Sequence, residues 1–249
     1  MGVNPSEIAK LRDILGEENL FDSKEKRITY ASDASKATGK LPDAVARPKS
    51  VEQVSRIMKL ASEHGIPIYP RGAGSGLTGG AVPLQGGIVL DFEIMNEIVD
   101  IDPDNMIATV QPGVITADLQ REAAKFGLFY PPDPASSDFC TIGGNVAENS
   151  GGLRGTKYGS TREYVMALEA VLADGEIIRV GTAAPKSVTG YDLVRLLVGS
   201  EGTLAVFTEI TVRLIPLPES VETIFATFPD VADAARCVIA IFKAGITPR

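Results

Sequence analysis

The 249-residue chain has one histidine, two cysteines and no tryptophan. With His64 alone, a multi-histidine metal centre or a histidine relay has no material, and a Ser-His-Asp triad would have to use this residue. His64 stands in SEHGIP just before Gly65, where a helix should stop. A cation or donor at a helix C-terminus is the ordinary reason for it. Cys140 and Cys237 lie far apart, form no paired motif, and read as two reduced thiols of a cytoplasmic protein. GxSxG, HExxH, CxxC and Walker A patterns are all missing. No apolar run approaches the ~20 residues of a membrane span, and the opening MGVNPSEIAKLRDILG is charged throughout instead of carrying an apolar signal region. Peripheral attachment to a membrane through a partner stays open. Lys and Arg total 24 against 32 Asp and Glu, a net charge of -8 without any basic cluster. Nucleic acid is therefore not an expected partner. An anionic ligand would have to be gripped locally, by backbone N–H groups and a few placed cations.

What is present suits a packed protein. Hydrophobic residues make up 44% and charged residues 22%, enough for one large core or two smaller ones. The pattern predicts a helix over Ser6–Leu15, then a polar stretch to Lys40. AVARP reads as a short strand. Val51, Val54, Ile57, Met58 and Ala61 recur at helical spacing behind Ser50, a natural N-cap with Gln53 three residues on. IPIYP, GIVLDF, NEIVDID and MIATVQPG read as strands, and Ile115–Phe126 as a helix stopped by Gly127. MALEAVLAD and EIIRV are joined at Asp174-Gly175, the signature of a type I′ hairpin. SVTGYDLVRLLVG combines loop and short helix, and Thr203–Ile215 is a long strand candidate. Beyond Pro218, VETIFATF predicts a strand and DVADAARCVIAIFKAG a helix. Such a unit cannot bury its apolar face alone, so a second domain is expected to begin near residue 219 and to be truncated. Packing of that helix back onto the first domain is the alternative.

Three loops could hold a ligand. PRGAGSGLTGG, Pro70 to Gly80, offers glycines that let a ligand approach the main chain, and successive amides that form an anion nest. Arg71 adds a cation, and Ser75 and Thr78 add hydroxyl donors. Together these suit a pyrophosphate. Gly74, Gly76 and Gly79 spell GxGxxG, but a Rossmann fingerprint needs a helix to open at once, and here AVPLQGG and a strand follow. The second segment, PPDPASSDFCTIGGNVAENSGGLRGTKYG, presents Thr141, Gly143, Gly144, Asn145 and Asn149 in a loop long enough to suggest function. The third, GSEGTLAVFTE, has Gly202 leading into a β-rich run.

In this order and spacing the three segments, with KSVTGYDLVRLL before the third, resemble the FAD-binding domain of the vanillyl-alcohol oxidase (PCMH) type. The likeness is to the glycolate oxidase FAD subunit and D-lactate dehydrogenase family, and it covers the chain from Ala44 onward. The resemblance implies an α+β fold: two α/β subdomains over residues 44–218 with a break near 112, FAD between them, an N-terminal extension over 1–43, and the start of a cap domain over 219–249. It implies that Arg71, Gly72, Ala73, Gly74, Ser75, Gly76, Leu77 and Thr78 wrap the pyrophosphate. Asp133, Ser136 and Ser137, with Thr141, Gly143, Gly144 and Asn145, would continue along the phosphates and ribityl chain. Asn149 and Gly152 would approach the ribityl and ring, and Glu201, Gly202 and Val206 would lie near the adenosine half or the ring edge.

The implied activity is oxidation of a small 2-hydroxyacid by hydride transfer from substrate C2 to flavin N5, with electrons passed on to an acceptor or partner subunit. Some members attach flavin through a histidine in the first glycine loop. None stands there, so FAD is expected to be non-covalent. Ala205 replaces a glycine common in the family. The histidine motif that would bind metal and substrate belongs to a later region, so no catalytic base and no metal ligand is assigned in this chain. Two rivals share the fold: a non-catalytic FAD-binding subunit of a larger oxidoreductase, and an NADPH-dependent flavin reductase of the peptidoglycan-precursor type.

Overall fold

The computed structural model describes residues 2–249. Asn4 caps the first helix, α1 (Pro5–Leu15), with a complete capping box to Glu7. A short strand β1 (Leu20–Phe21) and a single turn α2 (Lys24–Arg27) follow. Then come β2 (Ala44–Ala46), α3 (Val51–His64), β3 (Ile68–Arg71) and β4 (Ile88–Asp91). They form a four-stranded sheet in the order β1-β2-β4-β3, in which β2, β4 and β3 run parallel. The helix α3 makes the crossover that parallel strands require. Ser50 caps it, and Gly65 closes it in the left-handed conformation at φ 62°. Its buried stripe of Val54, Ile57, Met58, Leu60 and Ala61 packs with Leu11 and Leu15 of α1 on Ala44, Ala46, Ile88 and Leu90 of the sheet.

The next strands, β5 (Ile98–Asp102) and β6 (Ile107–Val110), join a second sheet. Helix α4 (Thr116–Ala124) and β7 (Leu128–Phe129) lead to α5 (Ile142–Glu148) and α6 (Gly155–Tyr158). Strands β8 (Val165–Val171) and β9 (Ile177–Gly181), helix α7 (Leu193–Leu197) and strands β10 (Val206–Arg213) and β11 (Ile215–Pro216) complete this lobe. The sheet is antiparallel in the order β5-β6-β10-β8-β9. Its core gathers Val110, Leu119, Tyr130, Ile142, Leu168, Leu197 and Ile210. Val171 of β8 and Val206 of β10 belong to the first core, so the two lobes share apolar packing.

Four expectations need correction. The change of sheet falls between Asp91 and Ile98, not near 112, because β6 pairs with β10 and carries β5 with it. The β8–β9 turn is not type I′: Asp174 keeps a negative φ and only Gly175 is positive, at 87°. Gly175 N donates to the Leu172 carbonyl and Leu172 N to the Glu176 carbonyl, a type I turn closed by a glycine bulge. The segment from Pro131 to Gly159 is not one long loop, since α5 and α6 lie within it. Residues 221–228 form no strand, because no neighbouring strand takes their backbone groups. The last helix, α8 (Val231–Lys243), capped by Asp230, buries none of its residues.

Candidate functional site

The parallel sheet fixes both ends of the first glycine loop. Arg71 lies opposite Asp91 at the end of β3, and Phe92 N donates to the Arg71 carbonyl. Past that point the chain leaves the sheet. Among the described residues, no protein acceptor takes the amides of Ala73 through Gly79. Gly74 at φ 66° and Gly79 at φ 85° permit the turns. Unpaired amides in a glycine loop at a cleft wall amount to an anion nest.

The opposite wall is α5. Thr141 is its N-cap, with Oγ1 accepting from Gly144 N at 3.2 Å. Gly72 abuts the Thr141 hydroxyl so closely that a Cβ there would collide with it. Gly143 rests on Pro112, whose Cβ would lie 2.6 Å from an added methyl. The third segment docks at the other end of α5: Gly199 N donates to the Val146 carbonyl and Glu201 N to the Ala147 carbonyl. Gly202, at φ 72°, lies against Pro70 of β3. All three segments thus meet in one cleft, which holds about 670 Å³ including its open mouth.

Gly72, Ala73, Gly74, Ser75 and Gly76 line that cleft, together with Ser136, Thr141, Gly144, Asn145, Glu201 and Gly202. Arg71, Gly143 and Val206 line an adjoining, more apolar recess, which shares Gly72, Thr141, Gly144 and Gly202 with the main cleft. Leu77, Thr78, Asp133, Ser137, Asn149 and Gly152 stand outside both. Asp133 pairs with Arg154 at 3.1 Å, and Gly152 packs on the Asp133 backbone. Asn149, left-handed at φ 50°, accepts from Ser160 Oγ and Arg162 N, both at 2.9 Å. Thr78 donates to Glu148 Oε1 at 2.8 Å.

The amides at the start of α5 are already paired within the protein. Ile142 N goes to the Val114 carbonyl, Gly143 N to the Pro112 carbonyl and Gly144 N to Thr141. They are first-turn amides, and the protein satisfies them itself. Asn145 is buried, and its amide donates to Thr116 Oγ1 at 2.6 Å, locking α5 to α4.

Arg71 is held from below the loop. It donates to the Ser32 carbonyl at 2.8 Å, and its guanidinium lies 5.4 Å from the Tyr30 ring centroid. Burial draws its pKa down, and Asp91 opposes that shift. An added Cβ on Gly74 would run into the same guanidinium. The stretch around it also binds the loop directly, since Ala34 N donates to the Gly74 carbonyl at 3.0 Å. Asp33, Glu148 and Ser150 line the cleft and went unnoticed in the sequence, as did the part played by the N-terminal extension. The polar stretch before Lys40 has no pattern that reveals where it folds back. Glu148 was visible only as the acid in NVAEN.

A nest of unpaired amides between two α/β lobes, closed by a capped helix and a glycine turn, defines a nucleotide-cofactor-binding protein. The family described as FAD binding domain matches residues 42–181. The chain belongs to that family, and FAD is its cofactor. It is 52% identical over 239 residues to the glycolate oxidase subunit GlcD of Bacillus subtilis (strain 168), across 96% of this chain and 51% of that protein. It is 40% identical over 244 residues to a D-lactate dehydrogenase of Anaerostipes hadrus, across 98% of this chain and 50% of that protein. The chain therefore spans about half the length of the curated relatives it matches. Among solved structures, an alkyldihydroxyacetonephosphate synthase superposes with a TM-score of 0.83 at 26% identity, over 97% of this chain and 46% of that one. The α+β fold is that of the PCMH-type FAD-binding proteins.

Proposed function

We propose that this chain is the FAD-holding part of a dehydrogenase or oxidase of a small 2-hydroxyacid, glycolate or D-lactate in kind. Residues 44–218 would form the cofactor body, and 219–249 would open the domain that covers the substrate. The observation that carries the reading is the run of unpaired amides whose residues Ala73 to Gly76 line a cleft shared with α5 and Gly202. The names of the relatives supply the substrate class.

FAD, when bound, supplies the two-electron acceptor for oxidation of a CH–OH carbon. The chain's own groups bind and orient it. The nest amides would take the diphosphate, with Ser75 and Ser136 as hydroxyl donors at its edge. Charge-assisted hydrogen bonds of this kind are worth about 1.5–3 kcal/mol each. Arg71 would act from beneath the loop, holding its path through Ser32, Tyr30 and Gly74. Asp133, Asn145, Asn149 and Gly152 would keep the far wall in shape, and Glu201, Gly202 and Val206 the near wall. Binding is non-covalent in this reading, since the loop has no histidine. A partner subunit or other acceptor would receive the electrons, and the relative named as a subunit favours the former.

Visible absorbance of the purified chain, and uptake of added FAD, test the reading. A colourless protein that takes up no FAD sinks it, and bleaching by NADPH would favour a flavin reductase instead. Gly74→Val places a branched side chain at φ 66° against Arg71. It should weaken FAD binding by about 10- to 100-fold, the equivalent of 1–3 kcal/mol of backbone strain. Lys10→Ala, on the far surface beside His64, should leave binding unchanged.

A further inference from the structure

We propose that FAD uptake by this chain is linked to protonation of Glu148, the acid at the mouth of the glycine nest. The inference rests on the FAD reading above and concerns how the same site is regulated.

Glu148 ends α5 and lines the main cleft. Its Oε1 receives the Thr78 hydroxyl at 2.8 Å and would lie 3.5 Å from a Cβ on Gly76 and 3.4 Å from one on Gly80. The carboxylate therefore hangs over the stretch whose amides are unpaired. Every charged group facing it is acidic. From the third segment, Glu201 Oε2 would lie 3.5 Å from the same Gly80 Cβ. From the N-terminal extension, Asp33 lines the same cleft.

No Lys, Arg or His lines that cleft among the described residues. Arg71 is turned to the Ser32 carbonyl and the Tyr30 ring, Arg154 to Asp133, and Arg162 to the Val198 carbonyl. A dianionic diphosphate would enter a cleft with three carboxylates on its walls, while Arg71, the cation of the adjoining recess, sits behind Gly74 and is turned to Ser32 and Tyr30. Neutral amides can hold it, but they do not cancel like charge. Adding a proton to the carboxylate nearest the nest removes the repulsion at the point of contact. Glu148 already holds its proton more tightly than an ordinary glutamate. Burial is the main cause, with Thr78 opposing it and Glu201 and Asp33 adding to it.

The sign follows from linkage. A carboxyl whose pKa rises on binding takes up a proton, so binding tightens as pH falls and levels off once the free site is protonated. One linked proton gives a slope of up to about tenfold in Kd per pH unit.

The test is titration of the 249-residue chain with FAD, followed by flavin fluorescence, from roughly pH 5 to pH 8. Calorimetry in buffers of different ionisation enthalpy counts the protons taken up directly. Wild type should bind more tightly at the acid end, with a fractional to full proton uptake. Glu148→Gln keeps an acceptor for Thr78 and removes the charge. It should bind about tenfold more tightly than wild type at pH 8 and lose most of the slope. Glu201→Gln should reduce the slope without abolishing it. A pH-independent wild type, or Glu148→Gln with the wild-type slope, overturns the linkage and leaves the FAD reading standing. Failure of every variant to bind FAD at any pH overturns both.

Discussion

Asp91 has 2% of its surface exposed, at the end of β4 directly opposite the residue that opens the glycine loop. Tyr30 donates its hydroxyl to Oδ2 at 2.9 Å, and Glu93 N donates to Oδ1 at 3.0 Å. Arg47 Nε lies 3.2 Å from Oδ2 as an ion pair, but without hydrogen-bond alignment. Burial pushes the Asp91 carboxyl above its ordinary range, and these contacts only partly offset that. The same burial, reinforced by Asp91, pushes the Tyr30 phenol up. Asp91→Ala would leave the Tyr30 phenol without its acceptor and Arg47 with Glu93 as its remaining carboxylate partner, at an expected cost of about 1–3 kcal/mol. Tyr30→Phe removes one hydrogen bond to a charged group and should cost about 1.5–3 kcal/mol. Urea unfolding of both variants measures this. Losses below about 0.5 kcal/mol would mean that the network does not stabilise the fold. The pH dependence has a definite sign. A carboxyl with a raised folded pKa holds its proton more tightly when folded, so its ionisation costs stability as pH rises through that value. Asp91→Asn should therefore gain on wild type as pH rises above about 4, the ordinary carboxyl value.

Among the elements, α5 explains most of what the sequence concealed. Its first turn is Ile142-Gly143-Gly144, and each glycine disfavours a helix by about 0.8–1 kcal/mol relative to alanine. Local propensity therefore argues for a loop. Tertiary packing decides otherwise, because Gly143 must sit on Pro112 and Thr141 must meet Gly72. By contrast α3 was legible, since its apolar stripe, Ser50 cap and Gly65 stop all act within one segment. Strand positions for β5 and β6 were legible as well, but their sheet was not, because alternation along a strand carries no information about its partner. The glycine loop was recognised as a site, while the clasp by Ala34 and Arg71 needed the folded chain. The contact between loop and helix can be tested by a double-mutant cycle. Gly72→Ala collides with Thr141 Oγ1 and should weaken FAD binding by about tenfold or more, as expected from overpacking of at least 1 kcal/mol. Thr141→Ala removes that oxygen and costs about 1 kcal/mol as a lost helix cap. In the double variant, the binding lost through Gly72→Ala should largely return. Simple additivity would show that the two walls do not bear on each other there.

At the scale of the whole molecule, residues 219–249 stand apart from the two packed lobes. From Glu219 onward no residue is buried. Ile224 is 91% exposed and Phe225 88%, and Val238, Ile239 and Phe242 of α8 are all exposed. An amphipathic helix contributes stability through the face it buries, and this one buries none here. The second lobe closes just before it. Ile215 and Pro216 of β11 pair with β7, and Leu217 N donates to the Gly127 carbonyl. Ending the chain after Pro218 keeps those bonds and removes only exposed apolar surface. The shortened chain should melt within about 3 °C of the 249-residue chain, because roughly 1 kcal/mol corresponds to 2–4 °C for a domain of this size. It should bind FAD equally well, and it should enhance the fluorescence of a hydrophobic dye less, since surface of this kind invites association. A drop of 10 °C or more, on the order of several kcal/mol, would mean that 219–249 packs on the cofactor body in solution. The idea that these residues begin the substrate-covering domain would then lose its physical basis, because a segment already buried against one domain has no unpartnered face to offer the next.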